Sequence, residues 1–145
     1  MLFRSAVVDA NEDFTSHIIT TFFLCWVHRG VGNFARAVEL GRGLVTALEG
    51  PRVGEHFGLA GLPSVMIRSA MSDSLAELGS LDEAARVAQE GWRIAEAVGQ
   101  PLSLTIALTA LARVSLLRGE WTDVISGLQR AAELEVKWEI GRAHV

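Results

Sequence analysis

Apolar positions along this chain recur at intervals of three and four, the period of a helix that buries one face. The clearest case is 81–98. Ala84, Val87, Ala88, Trp92, Ala95 and Val98 fall on one side, and Asp82, Glu83, Arg86, Gln89, Glu90, Arg93 and Glu96 on the other. No sustained alternation bounded by hairpin turns competes, so no strand is predicted. The pattern predicts six helices, over about 14–29, 34–49, 64–78, 81–98, 102–118 and 121–138. Residues 1–13 form an N-terminal segment of uncertain order.

Three segments repeat one another. Gly32-Asn33-Phe34-Ala35-Arg36-Ala37, Gly79-Ser80-Leu81-Asp82-Glu83-Ala84 and Gly119-Glu120-Trp121-Thr122-Asp123-Val124 each read as a glycine, a polar residue, a large apolar residue, two mostly polar residues and a small or β-branched one. Physically this is a helix end followed by a helix start. The glycine can take the left-handed conformation that closes a helix, and Asn33 and Ser80 are good N-caps for the next one. Ser80 and Glu83 have capping-box spacing, and the acidic Glu120 suits a helix N-terminus. Phe34, Leu81 or Trp121 is then expected to pack back on the preceding helix. The glycines stand 47 and 40 residues apart, longer than the roughly 34 of a minimal tetratricopeptide unit and near the longer helical repeats. A Gly/Pro loop over 50–63 accounts for the longer interval, and Pro63 and Pro101 each open a helix at a favoured first-turn position. The expected fold is all-α: an α-solenoid of about three antiparallel helix pairs, tetratricopeptide-like, with units at about 14–49, 64–98 and 102–138. The first helix of each pair is more apolar all round, as expected where neighbours pack on both sides.

Composition narrows the function. The chain has 145 residues, half of them apolar, and a net charge of −4. Its mean hydropathy is +0.30. That much apolar surface can offset chain entropy, so the chain is not disordered. An acidic chain without a basic block is a poor nucleic-acid binder, because such binding rests on phosphate neutralisation. No signal-peptide pattern opens the chain. The apolar stretches 18–27 and 102–117 fall short of the roughly 20 apolar residues of a membrane span, so neither a membrane nor a nucleic-acid partner is expected, and the lone Cys25 fits a cytoplasmic setting.

Enzymatic signatures are missing from the pattern. There is no phosphate-binding G-x-x-x-x-G-K-[ST] motif, and the G-x-G pairs at Gly30 and Gly41 precede no βαβ unit. His17, His28, His56 and His144 lack metal-ligand spacing. Cys25, mid-helix, reads as a small core residue, and Trp26, Trp92, Trp121 and Trp138 as core anchors. No catalytic residue, cofactor or metal is expected. The one constellation that suggests binding lies on the first helices. Thr105, Thr109 and Arg113 share a face of 102–118. In repeat register, Thr109 and Arg113 match Ser69 and Asp73 one unit back, and Phe22 and Trp26 two units back. In a solenoid the first helices line the concave surface, so these seven residues are the candidate groove contacts for a protein or peptide partner.

The stretch Gly54-Glu55-His56-Phe57-Gly58-Leu59-Ala60-Gly61-Leu62-Pro63-Ser64-Val65, with the repeat text from Leu75 to Ala84, from Arg93 to Leu104 and from Leu116 to Trp121, resembles the tetratricopeptide-repeat region of bacterial multidomain signalling proteins. Those proteins join a nucleotide cyclase domain and an AAA/STAND-type ATPase to a C-terminal array of repeats. The resemblance implies a scaffold or regulatory segment that contacts a protein partner or other domains of a parent chain. No cyclase or ATPase motif is present to carry either activity. Val124 stands where the repeat expects alanine. Repeat domains of maltose-regulator-type transcription activators are similar, which leaves an inducer-sensing role as the alternative, with Trp26 or Trp121 lining a pocket.

The final run Glu139-Ile140-Gly141-Arg142-Ala143-His144-Val145 resembles one reading frame of a common sequencing adapter. Residues 139–145 are accordingly expected to be a non-native tail on a slice of a longer protein. Such a slice is expected to self-associate through its exposed end helices.

Overall fold

The structure, a computed structural model, describes the backbone of residues 2–143 and the side chains of residues 12–122, 124–134, 136 and 137. Six helices follow in order: α1 (Leu2–Gly30), α2 (Phe34–Ala47), α3 (Pro63–Glu77), α4 (Leu81–Val98), α5 (Pro101–Arg118) and α6 (Trp121–Ala143), with a short 3₁₀ turn at Gly50–Gly54. The described residues contain no strand, and the protein is all-α. Each helix packs on the next in sequence, and α3 also packs directly on α1 and on α5.

The α1–α2, α3–α4 and α5–α6 turns share one geometry. Gly32, Gly79 and Gly119 have φ of 79°, 82° and 80°, the left-handed region in which glycine is unstrained. The amide of each glycine donates three residues back, to Arg29, Ala76 and Leu116 respectively. The next amide donates five residues back: Asn33 to His28, Ser80 to Leu75, Glu120 to Ser115, at 2.8–2.9 Å. This paired pattern is the Schellman closure, which satisfies carbonyls a helix end would otherwise leave open.

The helix starts are less uniform. Asn33 Oδ1 accepts from the Arg36 amide, but the Ser80 side chain makes no capping bond. The expected capping box is therefore not formed. Glu83 pairs instead with Arg42 of α2 at 2.9 Å and with Arg86. Helix α5 has a cap that its sequence does not advertise. Gln100 Oε1 accepts from the Ser103 amide at 2.7 Å, while its amide nitrogen donates to the Ala60 carbonyl at 2.7 Å.

Helix α1 runs back to Leu2, so residues 2–13 of the N-terminal segment are helical rather than unassigned, and Met1 lies outside the described residues. Between Leu2 and Gly30 no proline or glycine interrupts the chain, and nothing in its backbone chemistry stops the helix earlier. At the other end α6 continues through Ala143. The side chains of the expected tail, and His144 and Val145 entirely, lie outside the described residues, as does the side chain of Trp138.

The 50–63 loop is a packed element. Leu62 and Val65 are fully buried with Ala95 and Ala107. The Leu62 amide donates to Ser103 Oγ at 2.9 Å, and Ser64 Oγ donates to the Val53 carbonyl. The run from Gly61 to Val65, the end of the Gly54–Val65 stretch, is thus buried and fastens α3 to the start of α5. Phe57, the one non-glycine residue at positive φ among those described (49°), packs its ring 6.0 Å from that of Phe14 on α1. Arg52 covers the Phe14 ring at 3.8 Å.

Helix α3 is the core of the molecule. Twelve of its fifteen residues are buried, including Arg68, Asp73 and three serines. On one side Ile67 and Ala70 join Ile18, Phe22, Cys25, Ala37, Leu44 and Leu48. On the other Met71 and Leu75 join Val38, Ala84, Val87, Ala110 and Val114. Helix α5 is long and apolar enough, by length and composition, to cross a membrane. It packs against α3, α4 and α6 and carries Arg113 and Arg118, both in ion pairs.

Two glycines of α2 test this packing. A Cβ on Gly41 would lie 2.3 Å from Met71 Cγ, in the buried α2–α3 contact, whereas a Cβ on Gly43 meets nothing within 4 Å. Gly41→Val is expected to lower the unfolding free energy by about 1–3 kcal/mol through overpacking. Gly43→Ala is expected to raise it by up to about 1 kcal/mol through helix propensity. Urea denaturation of the two variants measures both signs.

Candidate functional site: the charged face of α1, α3 and α5

The seven candidate groove residues do not all reach one surface. Phe22 is 3% exposed and belongs to the core with Ile18 and Cys25, so it offers no contact to a partner. Its ring lies 6.1 Å from that of Trp26, which is 40% exposed. Ser69 and Thr105 are half-buried and Thr109 is exposed. The Thr109 hydroxyl donates to the Thr105 carbonyl at 2.9 Å, turning back onto its own helix in the usual manner of a threonine within a helix.

Asp73 and Arg113 do come together, in a chain of charges that crosses three helices. Arg29 Nη2 on α1 donates to Asp73 Oδ2 on α3 at 2.5 Å. Arg113 Nε on α5 lies 3.3 Å from Asp73 Oδ1, and Arg113 Nη2 donates to Glu77 Oε1 at 2.9 Å. The Arg113–Asp73 approach is an ion pair without hydrogen-bond alignment, which leaves Oδ1 buried and without a hydrogen bond. Arg29 extends the chain outward, its guanidinium carbon 5.2 Å from the Trp26 ring centroid. The order along the face is Trp26, Arg29, Asp73, Arg113, Glu77.

Burial grades this chain. The Asp73 side chain is 11% exposed and that of Arg29 25%, while Arg113 and Glu77 are each 42% exposed. The inner pair therefore carries most of the electrostatic weight, and the outer pair is screened by solvent. The arrangement can hold α1, α3 and α5 in fixed relation and present an aromatic ring and two half-exposed charges outward. Arg29 and Glu77 were not among the candidates. Glu77 could have been found, since it stands four residues after Asp73 and shares its helix face. Arg29 follows Trp26 by three, but no spacing rule pairs it with a carboxylate 44 residues away.

The tryptophans also depart from the core-anchor expectation. Of the three whose side chains are described, Trp121 is 63% exposed, Trp26 40%, and Trp92 half-buried. Both exposed rings stand on the first and last helices, which have neighbours on one side only. Cys25 is fully buried and its thiol donates to the Ala37 carbonyl at 3.2 Å. Burial pushes its pKa up to about 11, against a smaller downward pull from Arg29. At neutral pH it is a protonated core residue and not a nucleophile. Among the described residues no three His, Cys, Asp or Glu side chains gather as a metal site would require. No family model, curated protein or solved structure matches the chain.

Asp73→Ala leaves Arg29 without its carboxylate and is expected to cost about 2–3 kcal/mol. Arg113→Ala, at the wet end, is expected to cost about 1 kcal/mol or less. Equal costs in urea denaturation would contradict the graded burial.

Cys25 sets a pH dependence. The unfolded thiol ionises near 9 and the folded one near 11. Between these values the unfolded chain has lost a proton that the folded chain keeps, so stability falls as pH rises. The loss is about 2–3 kcal/mol from pH 9 to 11. The chain has no tyrosine and no second cysteine. Cys25→Ala is expected to flatten the curve.

Proposed function

We propose that this chain is a non-catalytic, tetratricopeptide-like α-solenoid of three helix pairs that binds a protein partner through the face shared by α1, α3 and α5. The observation that carries the reading is the repetition of one turn geometry at Gly32, Gly79 and Gly119. It is joined by direct packing of α3 on both α1 and α5. Identical turns place successive helix pairs in similar relation, and the first helices then line a common surface.

Trp26 and Arg113 supply what a partner would touch. Tryptophan and arginine dominate protein interfaces because each combines a large flat body with a polar group. The partner that fits is an extended peptide or loop with an acidic residue beside an apolar one: the carboxylate toward Arg113, the apolar side chain on Trp26. In the setting the sequence resembles, such binding would bias an attached ATPase or cyclase. The outer helices carry exposed apolar side chains, Phe23 and Val27 on α1 and Ile125 and Leu128 on α6. These support association through the end helices as well.

Selection of displayed random peptides on the whole chain tests the reading. Peptides pairing an acidic with an apolar residue are expected to be enriched. Arg113→Ala and Trp26→Ala are expected to weaken the selected peptides at least ten-fold with helix content unchanged. Failure to enrich any peptide, or binding by both variants as tight as that of the wild-type chain, overturns the proposal. Asp73 is a poor probe, because its loss disturbs the packing of α1 on α3.

A further inference from the structure

A second concavity lies away from the charged face, between α4, α5 and α6. It has a volume of about 360 Å³, at the small end of the range typical of ligand pockets. The helix crossing explains why space exists there. A Cβ on Gly127 of α6 would lie 3.6 Å from Ala112 Cβ of α5, so small residues meet at the closest approach. Beside that point the larger Trp92, Leu108 and Leu111 stand as walls.

Among the described residues the charge lining the cleft has one sign. Gln89, Ser115 and Ser126 line it with neutral groups, and among the described residues Arg130 is the one charged residue in its lining. The Arg130 guanidinium lies over the Trp92 ring, its carbon 5.2 Å from the centroid. Among the described residues no carboxylate forms an ion pair with it. In a chain of net charge −4, where most described arginines are matched to an Asp or Glu, this is an unusual placement. Stacking on an aromatic face leaves the in-plane N–H donors of a guanidinium available to bind a planar anion in two-pronged fashion.

We propose that this cleft is a binding site for a small aromatic carboxylate. The carboxylate pairs with Arg130, and the flat apolar body lies among Trp92, Leu108 and Leu111. A bare inorganic anion would leave those walls wet, and a neutral arene would leave the cation unused. The site is independent of the partner-binding face, since it shares no residue with it.

Titration of the whole chain with 2-naphthoate tests this, by calorimetry and by saturation-transfer NMR on the ligand. Saturable binding is expected, at least ten-fold tighter than that of neutral 2-naphthylmethanol. Arg130→Gln, a change at an exposed position, is expected to abolish that preference while leaving helix content unchanged. Ser115→Phe, which puts a ring into the cleft, is expected to remove binding of both compounds. Neither variant should alter binding of peptides selected on the face of α1, α3 and α5. Absence of saturable naphthoate binding overturns the proposal. So does a preference over the alcohol that survives Arg130→Gln, or competition by inorganic phosphate at concentrations equal to those of naphthoate.

Discussion

A helix buried along most of its surface must satisfy its buried polar groups from within the protein, and α3 imposes that constraint on the rest of the structure. Ser72 Oγ reaches the Ala84 carbonyl on α4 at 2.9 Å, and Ser74 Oγ the Ala70 carbonyl one turn back at 2.8 Å. Arg68 Nη1 donates to the Ser64 carbonyl at 2.9 Å, and its Nε lies 3.6 Å from Glu90 on α4. Burial lowers the Arg68 pKa, and Glu90 opposes the shift. The guanidinium stays charged, as arginine does throughout proteins. A charge taken out of water without a partner would be costly. The positions of α1, α4 and α5 around α3 are therefore constrained by charge as well as by apolar fit.

The same constraint produces the candidate interaction face. Asp73 sits where α3 meets α1 and α5, so its carboxylate draws an arginine from each. The inner contact is structural, and the outer contact projects toward solvent. Burial is thus graded along one chain of side chains: toward Asp73 they hold the helices, and toward Trp26, Arg113 and Glu77 they open to solvent. The cleft beside Arg130 differs in kind. It arises where small residues at the α5–α6 crossing let the helices approach, and its arginine lies over a tryptophan ring.

The 50–63 loop joins these regions. Its buried end, Leu62 to Val65, packs under the start of α5, and Gln100 and Ser103 bond back to it. Position of α5 relative to α3 is thereby determined at one end by the loop and near the other by Arg113. A glycine- and proline-rich stretch of this kind would ordinarily be expected on the surface. Here Leu62, Pro63 and Val65 make part of it core.

By itself the sequence determined the helices and where they turn. Glycine's access to positive φ, proline at the first turn and a three-to-four apolar period are local properties, and all six predicted helices occur within a few residues of their expected bounds, apart from the long ends of α1 and α6. The same local logic placed Asp73 and Arg113 on corresponding faces. Only the tertiary structure decided what those faces meet. Capping of α4 lost to the pull of Arg42 and Arg86 on Glu83. Phe22 went inward and Trp121 outward because the number of neighbours around a helix is not a property of its own residues. Arg29 found Asp73 across 44 residues, and Arg130 found Trp92 across a helix crossing. Spacing along the chain specifies which residues share a helix face; burial and long-range pairing depend on how helices pack, which no local pattern contains.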